Sequence, residues 1–214
     1  MKTKLILVAG PSSSGKSTLA HALCEAFGAD CALLLSLDNY YRDLRHLSPQ
    51  ERALRDFDQP AAWESERLIE EMQQLIEGKT IDMPQYDFNT HLRVDQTQHI
   101  SPYPYIIAEG LFALCYAELN ALASLEVFVD IDDEAALQRR LDRDIRKRGR
   151  SPECVTRQFN ETVRPANEQH IRPSAQNADI ALDGSSQITT NLKIILDRIK
   201  TAPAPIYRSA ADRL

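Results

Sequence analysis

A glycine-rich segment near the start of the chain carries residue types that bind phosphate groups. It matches the pattern G-x-x-x-x-G-K-S/T and comprises Gly10, Pro11, Ser12, Ser13, Ser14, Gly15, Lys16 and Ser17, followed by Thr18. In such a loop, called a P-loop, the backbone N–H groups surround the phosphates, the lysine contacts the β- and γ-phosphates, and the serine binds Mg²⁺. The pattern therefore predicts a site for ATP or GTP with Mg²⁺, and it gives Lys16 a catalytic role.

Two carboxylates could assist Ser17 in binding Mg²⁺. Glu109 follows the apolar stretch 105–108, and Asp130 lies in the apolar stretch 127–131. We favour Glu109, because Gly110 beside it would allow a close approach to the phosphates. Asp130 is interpreted as a residue that ends its strand.

A third carboxylate, Asp38, follows the apolar stretch 32–36. Ligands of open α/β sheets bind where the carboxyl ends of the strands meet, so Asp38 is expected near the P-loop. There it could accept the proton of an attacking hydroxyl group and order water bound to Mg²⁺. The alternative is that Asp38 only caps a helix that follows it.

The elements that must position these residues can be predicted from apolar runs. Strands are expected at 5–9, 32–36, 105–108, 127–131 and 180–182, with helical patterns between most of them. The strands are apolar almost throughout, which is typical of a parallel sheet covered by helices on both faces. We therefore expect an α/β protein of the P-loop NTPase fold, with a five-stranded parallel sheet and a single domain over 1–200.

Two further segments interrupt the alternation of predicted strands and helices. An insertion at 39–100, with a predicted helix at about 62–77 and a possible hairpin after it, is a natural module for the acceptor substrate. A basic helix from 134, which with its turn forms a segment 134–152, has seven basic and two acidic side chains between Arg139 and Arg150. That excess favours an arginine-rich lid over a triphosphate, although a solvated charged face is the plainer interpretation. The tail 201–214 shows little periodicity.

Composition excludes several classes of protein. A net charge of −6 disfavours a broad nucleic-acid-binding face. The four cysteines lack the spacing of zinc ligands or of a disulfide framework and are interpreted as reduced thiols. No stretch approaches the roughly 20 apolar residues of a membrane span, so we expect a cytoplasmic protein. The chain also lacks an N-K-x-D guanine-reading motif, which disfavours the GTP-dependent switch proteins.

Several motifs together resemble those of uridine kinases, within the uridine kinase and phosphoribulokinase group. They are D-N-Y-Y at 38–41, D-F-D-Q-P at 56–60, M-P-Q-Y-D-F at 83–88, I-A-E-G at 107–110, R-D-I at 143–145 and R-G-R at 148–150. The chain differs from many of these kinases at Gln59, where they have histidine, and at 182–186, where their last strand is followed by a glycine-rich ending. Substrate identity is therefore harder to transfer than the type of reaction.

The resemblance implies roles for individual residues. Asp38 would be the general base, Asp58 would bind the ribose hydroxyls, and Arg143 would be a catalytic lid arginine that also contacts substrate. Further substrate-binding residues would be Tyr41, Phe57, Tyr86, Phe88, His91, Arg93, Arg150 and Gln158, while Arg140 and Arg148 would lie near the triphosphate. Without the resemblance, Tyr86 and Phe88 are equally well read as the buried face of a hairpin, and His91 as a surface histidine.

The sequence and the resemblance together predict phosphorylation of the 5′-hydroxyl group of uridine, and of cytidine, in pyrimidine salvage. The resemblance also implies a homotetramer. The alternatives are a kinase for ribosylnicotinamide, pantothenate, ribulose phosphate or another small hydroxylated acceptor, and a nucleotide sensor without catalytic activity. A neutral nucleoside fits the insertion 39–100 better than a phosphorylated acceptor does, because few basic residues occur there.

Overall fold

The computed structural model describes residues 3–201, apart from the side chains of Ala53, Lys147 and Arg148. The strands are β1 (Lys4–Ala9), β2 (Ala32–Ser36), β3 (Ile81–Met83), β4 (Tyr86–Asp87), β5 (Leu92–Arg93), β6 (Gln98–Ile100), β7 (Tyr105–Glu109), β8 (Leu125–Asp130) and β9 (Ile180–Asp183). The α-helices are α1 (Lys16–Phe27), α2 (Pro49–Ala53), α3 (Ser65–Ile76), α4 (Ala117–Leu122), α5 (Asp133–Arg148), α6 (Pro152–Gln158), α7 (Arg164–Ala166) and α8 (Ile188–Thr201).

Five strands form one parallel sheet in the order β2-β7-β1-β8-β9. All five predicted strands are present in it, so the predicted α/β class and sheet are confirmed. Successive residues of a strand point to opposite faces, and the two apolar cores follow that alternation. Leu5 and Leu7 of β1 lie in one core, and Ile6 and Val8 lie in the other. Both faces are buried, which explains the nearly continuous apolar runs in the sequence.

Different helices cover the two faces. The core that contains Ile6 is completed by Leu19 and Leu23 of α1 and by Ile195 of α8. The core that contains Leu5 includes Leu68, Met72 and Leu75, which lie on one side of α3. The sheet thus lies between two layers of helices, as the sequence predicts.

The insertion contains more structure than the sequence predicts. The helix expected at 62–77 is α3, preceded by a short 3₁₀ turn at Pro60–Ala62. The expected hairpin is the pair β4 and β5, and it is nested inside a second antiparallel pair formed by β3 and β6. Strands this short give little periodic signal, so only their approximate position could be predicted.

Helix α5 matches the predicted basic helix closely. The side chain of Asp132 caps its first turn by accepting a hydrogen bond from the backbone N–H of Ala135, at 2.9 Å. Gly149 ends the helix in the left-handed conformation, with a φ of 62°. The chain then continues through α6, α7 and π-helical turns at Phe159–Val163 and Asn167–Ile171.

The described residues also bear on the predicted state of the cysteines and on membrane-spanning helices. The four cysteines, Cys24, Cys31, Cys115 and Cys154, are free thiols. Within residues 3–201, no helix is both long and apolar enough to cross a membrane. The proposed domain boundaries stay predictions, and the predicted tail lies outside the described residues apart from Thr201.

Gly110 has a packing role that the sequence did not indicate. A Cβ atom at this position would lie 2.6 Å from Cη2 of Trp63 and 3.1 Å from Cβ of Leu37. Trp63 is fully buried against the same core as β7. The glycine therefore makes room for an indole ring, and the expected access to the phosphates stays a prediction.

This packing predicts a coupled effect on stability. Gly110→Ala should lower the free energy of unfolding by about 1–3 kcal/mol, the usual range for an overpacked core. In a Trp63→Phe background the cost of Gly110→Ala should be smaller, because phenylalanine lacks the outer indole ring. Urea denaturation of the four proteins in this double-mutant cycle measures both costs. Equal costs in the two backgrounds would contradict the assignment.

Candidate active site

The parallel register brings three chain segments to one edge of the sheet. Glu109, at the end of β7, pairs with Val8 of β1 on one side and with Ser36 of β2 on the other. The P-loop begins two residues after Val8, and Asp38 lies two residues after Ser36. Glu109 is therefore placed between the predicted phosphate site and the predicted general base.

The P-loop has the backbone geometry that its sequence predicts. Gly10 has a φ of 147°, and a Cβ atom there would lie 2.1 Å from the carbonyl oxygen of Val129. Ser13 and Gly15 are in the left-handed region, with φ values of 67° and 97°. Among the described residues, no side chain caps the start of α1 after Gly15. The first N–H groups of that helix are thus available to an anion.

Ser17 and Glu109 contact each other directly. The Ser17 hydroxyl donates a hydrogen bond to Oε2 of Glu109, at 2.9 Å. Glu109 is buried and Lys16 is also buried, so both charges lie in a confined region at the start of α1. Hydroxyl and carboxylate oxygens are the ligands that Mg²⁺ prefers, and Mg²⁺ commonly takes its other ligands from water and phosphate. The described residues hold no cluster of three His, Cys, Asp or Glu side chains that would bind a metal by themselves.

Asp38 lies inside a 3₁₀ turn, Leu37–Tyr40, that directly follows β2. Ser36 occupies the cap position of this turn, so Asp38 is not the capping residue. Burial raises the pKa of the nearby Tyr41 hydroxyl well above its ordinary value, and the negative charges of Asp38 and Asp58 raise that pKa further. Both carboxylates therefore lie near one buried, neutral tyrosine.

The predicted nucleoside-binding rings form one aromatic cluster. This aromatic cluster consists of Tyr41, Phe57, Tyr86, Phe88 and His91. Tyr41 is central, with ring centroids 5.8 Å from Phe57, 5.3 Å from Tyr86 and 6.3 Å from Phe88. His91 stacks on Phe57 at 4.4 Å. Tyr41 and Tyr86 are buried, whereas Phe88 is 45% exposed, so part of the cluster can face a ligand.

Asn39 joins this cluster to the end of β2, a role that the sequence did not indicate. Its side-chain amide donates to the carbonyl oxygen of Ser36 at 3.2 Å, and its Oδ1 accepts from the backbone N–H of Tyr86 at 3.1 Å. The β4–β5 hairpin is thereby fixed next to Asp38. An asparagine beside a candidate general base was the only available signal.

Asp58 is held by a residue that the sequence analysis missed. The Thr162 hydroxyl donates to Oδ2 of Asp58 at 2.9 Å, although the two residues are 104 positions apart. Burial raises the pKa of Asp58 above its ordinary value of 3.8, while the hydrogen bond from Thr162 and the charge of Arg140 oppose that rise. Thr162 follows Gln158 by one helical turn, and this spacing from a predicted pocket residue is the signal that could have identified it.

Three of the predicted lid arginines meet at one buried carboxylate. Asp144 is fully buried, and Nε of Arg143 donates to its Oδ1 at 2.8 Å. Arg150 and Arg140 approach Oδ2 of Asp144 at 3.6 and 3.8 Å. The negative charge offsets the mutual repulsion of the arginines. The basic helix is therefore organised around a buried ion, which a solvated charged face would not require.

Arg140 connects the P-loop to Gln158, a residue predicted to bind substrate. Its guanidinium donates to the Ser12 hydroxyl oxygen and to Oε1 of Gln158, both at 3.1 Å. Oε1 of Gln158 also accepts from Arg150, at 2.9 Å. Burial lowers the pKa of Arg140, and the charges of Asp58 and Asp144 oppose that change. Arg140 thus contacts both the P-loop and a residue predicted to bind the acceptor.

Arg93 and Gln59 have partners other than the residues described above. Arg93 is paired with Glu64 at 2.7 Å and anchors the hairpin to the residue before α3, so its role in substrate binding stays a prediction. The side-chain N–H of Gln59 donates to Oδ2 of Asp56 at 3.0 Å, and Oε1 of Gln59 lies 2.7 Å from Nε2 of His170.

Two more residues were considered from the sequence: Asp130, the alternative carboxylate for Mg²⁺, and the lid arginine Arg148. Asp130 is exposed, accepts a hydrogen bond from the N–H of Ile131 and lies 3.7 Å from Arg172, which suits a residue that ends a strand. The side chain of Arg148 lies outside what the structure describes.

The sheet order, the P-loop and the Ser17–Glu109 contact place the chain among the P-loop NTPases. Residues 5–191 match the model of the phosphoribulokinase / uridine kinase family, and the chain belongs to that family. The uridine kinase of Clostridium novyi is 36% identical over 94% of this chain and 96% of its own length. The uridine kinase of Brevibacillus brevis is 40% identical over 83% of each chain.

Solved structures support the fold. A putative fructose transport system kinase from Silicibacter sp. TM1040 aligns with a TM-score of 0.67, covering 84% of this chain and 89% of that one. At 19% identity this likeness concerns the fold alone. It supports the predicted α/β fold of the P-loop NTPases.

The burial of Asp58 gives a prediction about pH. Burial raises the pKa of Asp58 in the folded state, so the folded state binds the proton more strongly than the unfolded state does. Stability is therefore lost as the pH rises through the folded pKa, and Asp58→Asn should gain stability relative to the unmodified protein between about pH 4 and pH 7. Urea denaturation across that range measures the difference, with Asp30→Asn at an exposed position as the matched control. A difference that stays constant, or one that falls with pH, would contradict the burial argument.

Proposed function

We propose that this protein transfers the γ-phosphoryl group of ATP to the 5′-hydroxyl group of uridine, and also to that of cytidine. The observation that carries the proposal is the aromatic cluster, which is joined to the end of β2 through Asn39 and lies beside both Asp38 and Asp58. An aromatic surface suits a flat base, and a carboxylate that can accept two hydrogen bonds suits a pair of ribose hydroxyls. The relatives named as uridine kinases are consistent with this acceptor.

Each residue has a defined part in the proposed reaction. Asp38 accepts the proton when the O–H bond of the 5′-hydroxyl breaks and its oxygen bonds to the γ-phosphorus. The bond between that phosphorus and the bridging β,γ-oxygen breaks, and ADP leaves. Lys16 and the arginines gathered by Asp144, including Arg143, neutralise the charge of the transferring group.

Ser17 and Glu109 would hold Mg²⁺, directly or through water, and Asp38 would bind through water only. When bound, the ion neutralises charge on the triphosphate oxygens. The donor set fits because Ser17 and Glu109 supply two oxygens within 2.9 Å of each other and leave other positions for phosphate and water. A homotetrameric state and a cytoplasmic location belong to the same proposal.

The assignment of Asp38 can be tested by substitution. Asp38→Asn should lower kcat by roughly 10²- to 10⁴-fold, because an amide cannot accept the hydroxyl proton. The affinity for ATP should change little, since the P-loop is not altered. Steady-state kinetics with uridine, together with calorimetric titration of ATP, separate the two effects. Normal turnover by this variant would overturn the role as general base.

The acceptor can be tested with a panel of substrates. ADP release should be fast with uridine and cytidine, slow with 2′-deoxyuridine, and slow with pantothenate or ribulose 5-phosphate. Asp58→Asn should narrow the gap between uridine and 2′-deoxyuridine, because Asp58 is proposed to bind the ribose hydroxyls. Preference for a non-nucleoside alcohol would refute the proposed acceptor, and absence of ADP release with every acceptor would favour a nucleotide sensor.

A further inference from the structure

Arg139 stands next to Arg140 on α5, yet it has different partners. Its Nη1 donates to the main-chain carbonyl oxygens of Ser13 at 3.3 Å, Ser14 at 3.5 Å and Gly184 at 3.1 Å. Its Nη2 donates to the same Gly184 oxygen at 3.1 Å. Arg139 is exposed at the surface, so it contacts the P-loop from outside.

The segment after β9 completes this contact. Gly184 follows the last strand, and its N–H donates to the carbonyl oxygen of Asp130 at 2.7 Å. A Cβ atom at Gly184 would lie 2.2 Å from the carbonyl oxygen of Ser14 and 2.8 Å from that of Asp130. The side chain of Asp183 shapes the turn by accepting from the N–H and hydroxyl of Ser185 at 2.7 and 2.6 Å. The altered segment 182–186 is thus an ordered support for the P-loop.

The two P-loop carbonyl groups that Arg139 contacts have different effects. The N–H in the same peptide group as the Ser13 carbonyl is that of Ser14, which donates to the carbonyl oxygen of Pro11 at 3.2 Å and closes the turn. In a trans peptide the C=O and N–H bonds point in opposite directions. The Ser14 carbonyl and the Gly15 N–H belong to one peptide group, so fixing the carbonyl toward Arg139 directs the N–H away from it, into the loop. The positive charge of Arg139 beside the carbonyl oxygen also polarises the peptide group and strengthens its N–H as a donor. Ser13 has a left-handed backbone, with a φ of 67°, which is strained for a residue other than glycine and needs such support.

We propose that Arg139 is a positioning residue for the donor triphosphate: it bridges the carbonyl groups of Ser13, Ser14 and Gly184, and so holds the turn of the P-loop in place and aims the Gly15 N–H at the phosphates. The inference rests on the proposed function only in requiring that the loop binds a polyphosphate. It does not depend on the identity of the acceptor. Arg139 acts through the loop backbone, in contrast to Arg140, which contacts side chains of the two substrate regions.

The test uses inorganic tripolyphosphate, which has the phosphates of ATP but no base or sugar. Arg139→Ala should raise the dissociation constant of tripolyphosphate, measured by calorimetry, and the KM for ATP, each by roughly tenfold, as expected for lost charge-assisted hydrogen bonds. The KM for uridine should stay within about twofold. Arg139→Lys should show an intermediate effect, because one ammonium group cannot reach all the carbonyls at once. Arg157→Ala, at an exposed position of α6, is the matched control and should match the unmodified protein.

Two results would overturn the proposal. A raised KM for ATP with unchanged tripolyphosphate binding would mean that Arg139 contacts the base or sugar of the donor. Unchanged values for both ligands would mean that the contacts have no effect on the donor site. If Arg139→Ala does not fold, Gly184→Ala tests the same support from the other side and should weaken tripolyphosphate binding. Because calorimetry needs no acceptor, this test remains valid even if no nucleoside is phosphorylated.

Discussion

The main-chain pairing of β7 between β1 and β2 is the constraint on which the rest of the site depends. It sets Glu109 level with Val8 and Ser36, so the P-loop, the candidate metal ligand and Asp38 leave the sheet at the same level. A shift of one residue would turn the Glu109 side chain to the other face and would separate it from Ser17. The apolar residues on both faces of the strands prevent such a shift, because it would exchange the contents of the two cores.

Electrostatics assemble the second half of the site. The protein is acidic overall, yet α5 and the turn after it carry seven of its 25 Lys and Arg residues. Asp144 gathers Arg140, Arg143 and Arg150 in the structure, although these groups would repel one another in its absence. A buried charge is costly unless it is paired, and this requirement fixes where the arginines lie before any phosphate is present.

In the insertion, packing and the proposed recognition of the acceptor are not alternatives. Tyr86 and Phe88 are part of a hairpin, as the plain interpretation of their spacing suggests, and the same rings join Tyr41, Phe57 and His91 in the aromatic cluster. The buried members stabilise the hairpin, and the exposed part of Phe88 remains available. Rigid support of this kind positions a binding surface more accurately than a mobile loop would.

The sequence alone determined the P-loop, the five strands, α3 and the basic helix, because each is encoded by local spacing of residue types. It also favoured Glu109 over Asp130, but it did not indicate that Gly110 accommodates Trp63. Only the tertiary structure revealed that Thr162 holds Asp58, that Arg139 and Gly184 support the loop, and that Gln59 and Arg93 have partners of their own. These contacts join residues far apart in the chain, from 29 positions for Arg93 and Glu64 to 126 for Arg139 and Ser13. Local periodicity reports which face of an element is buried, whereas such contacts depend on strand order and on how helices cross the sheet.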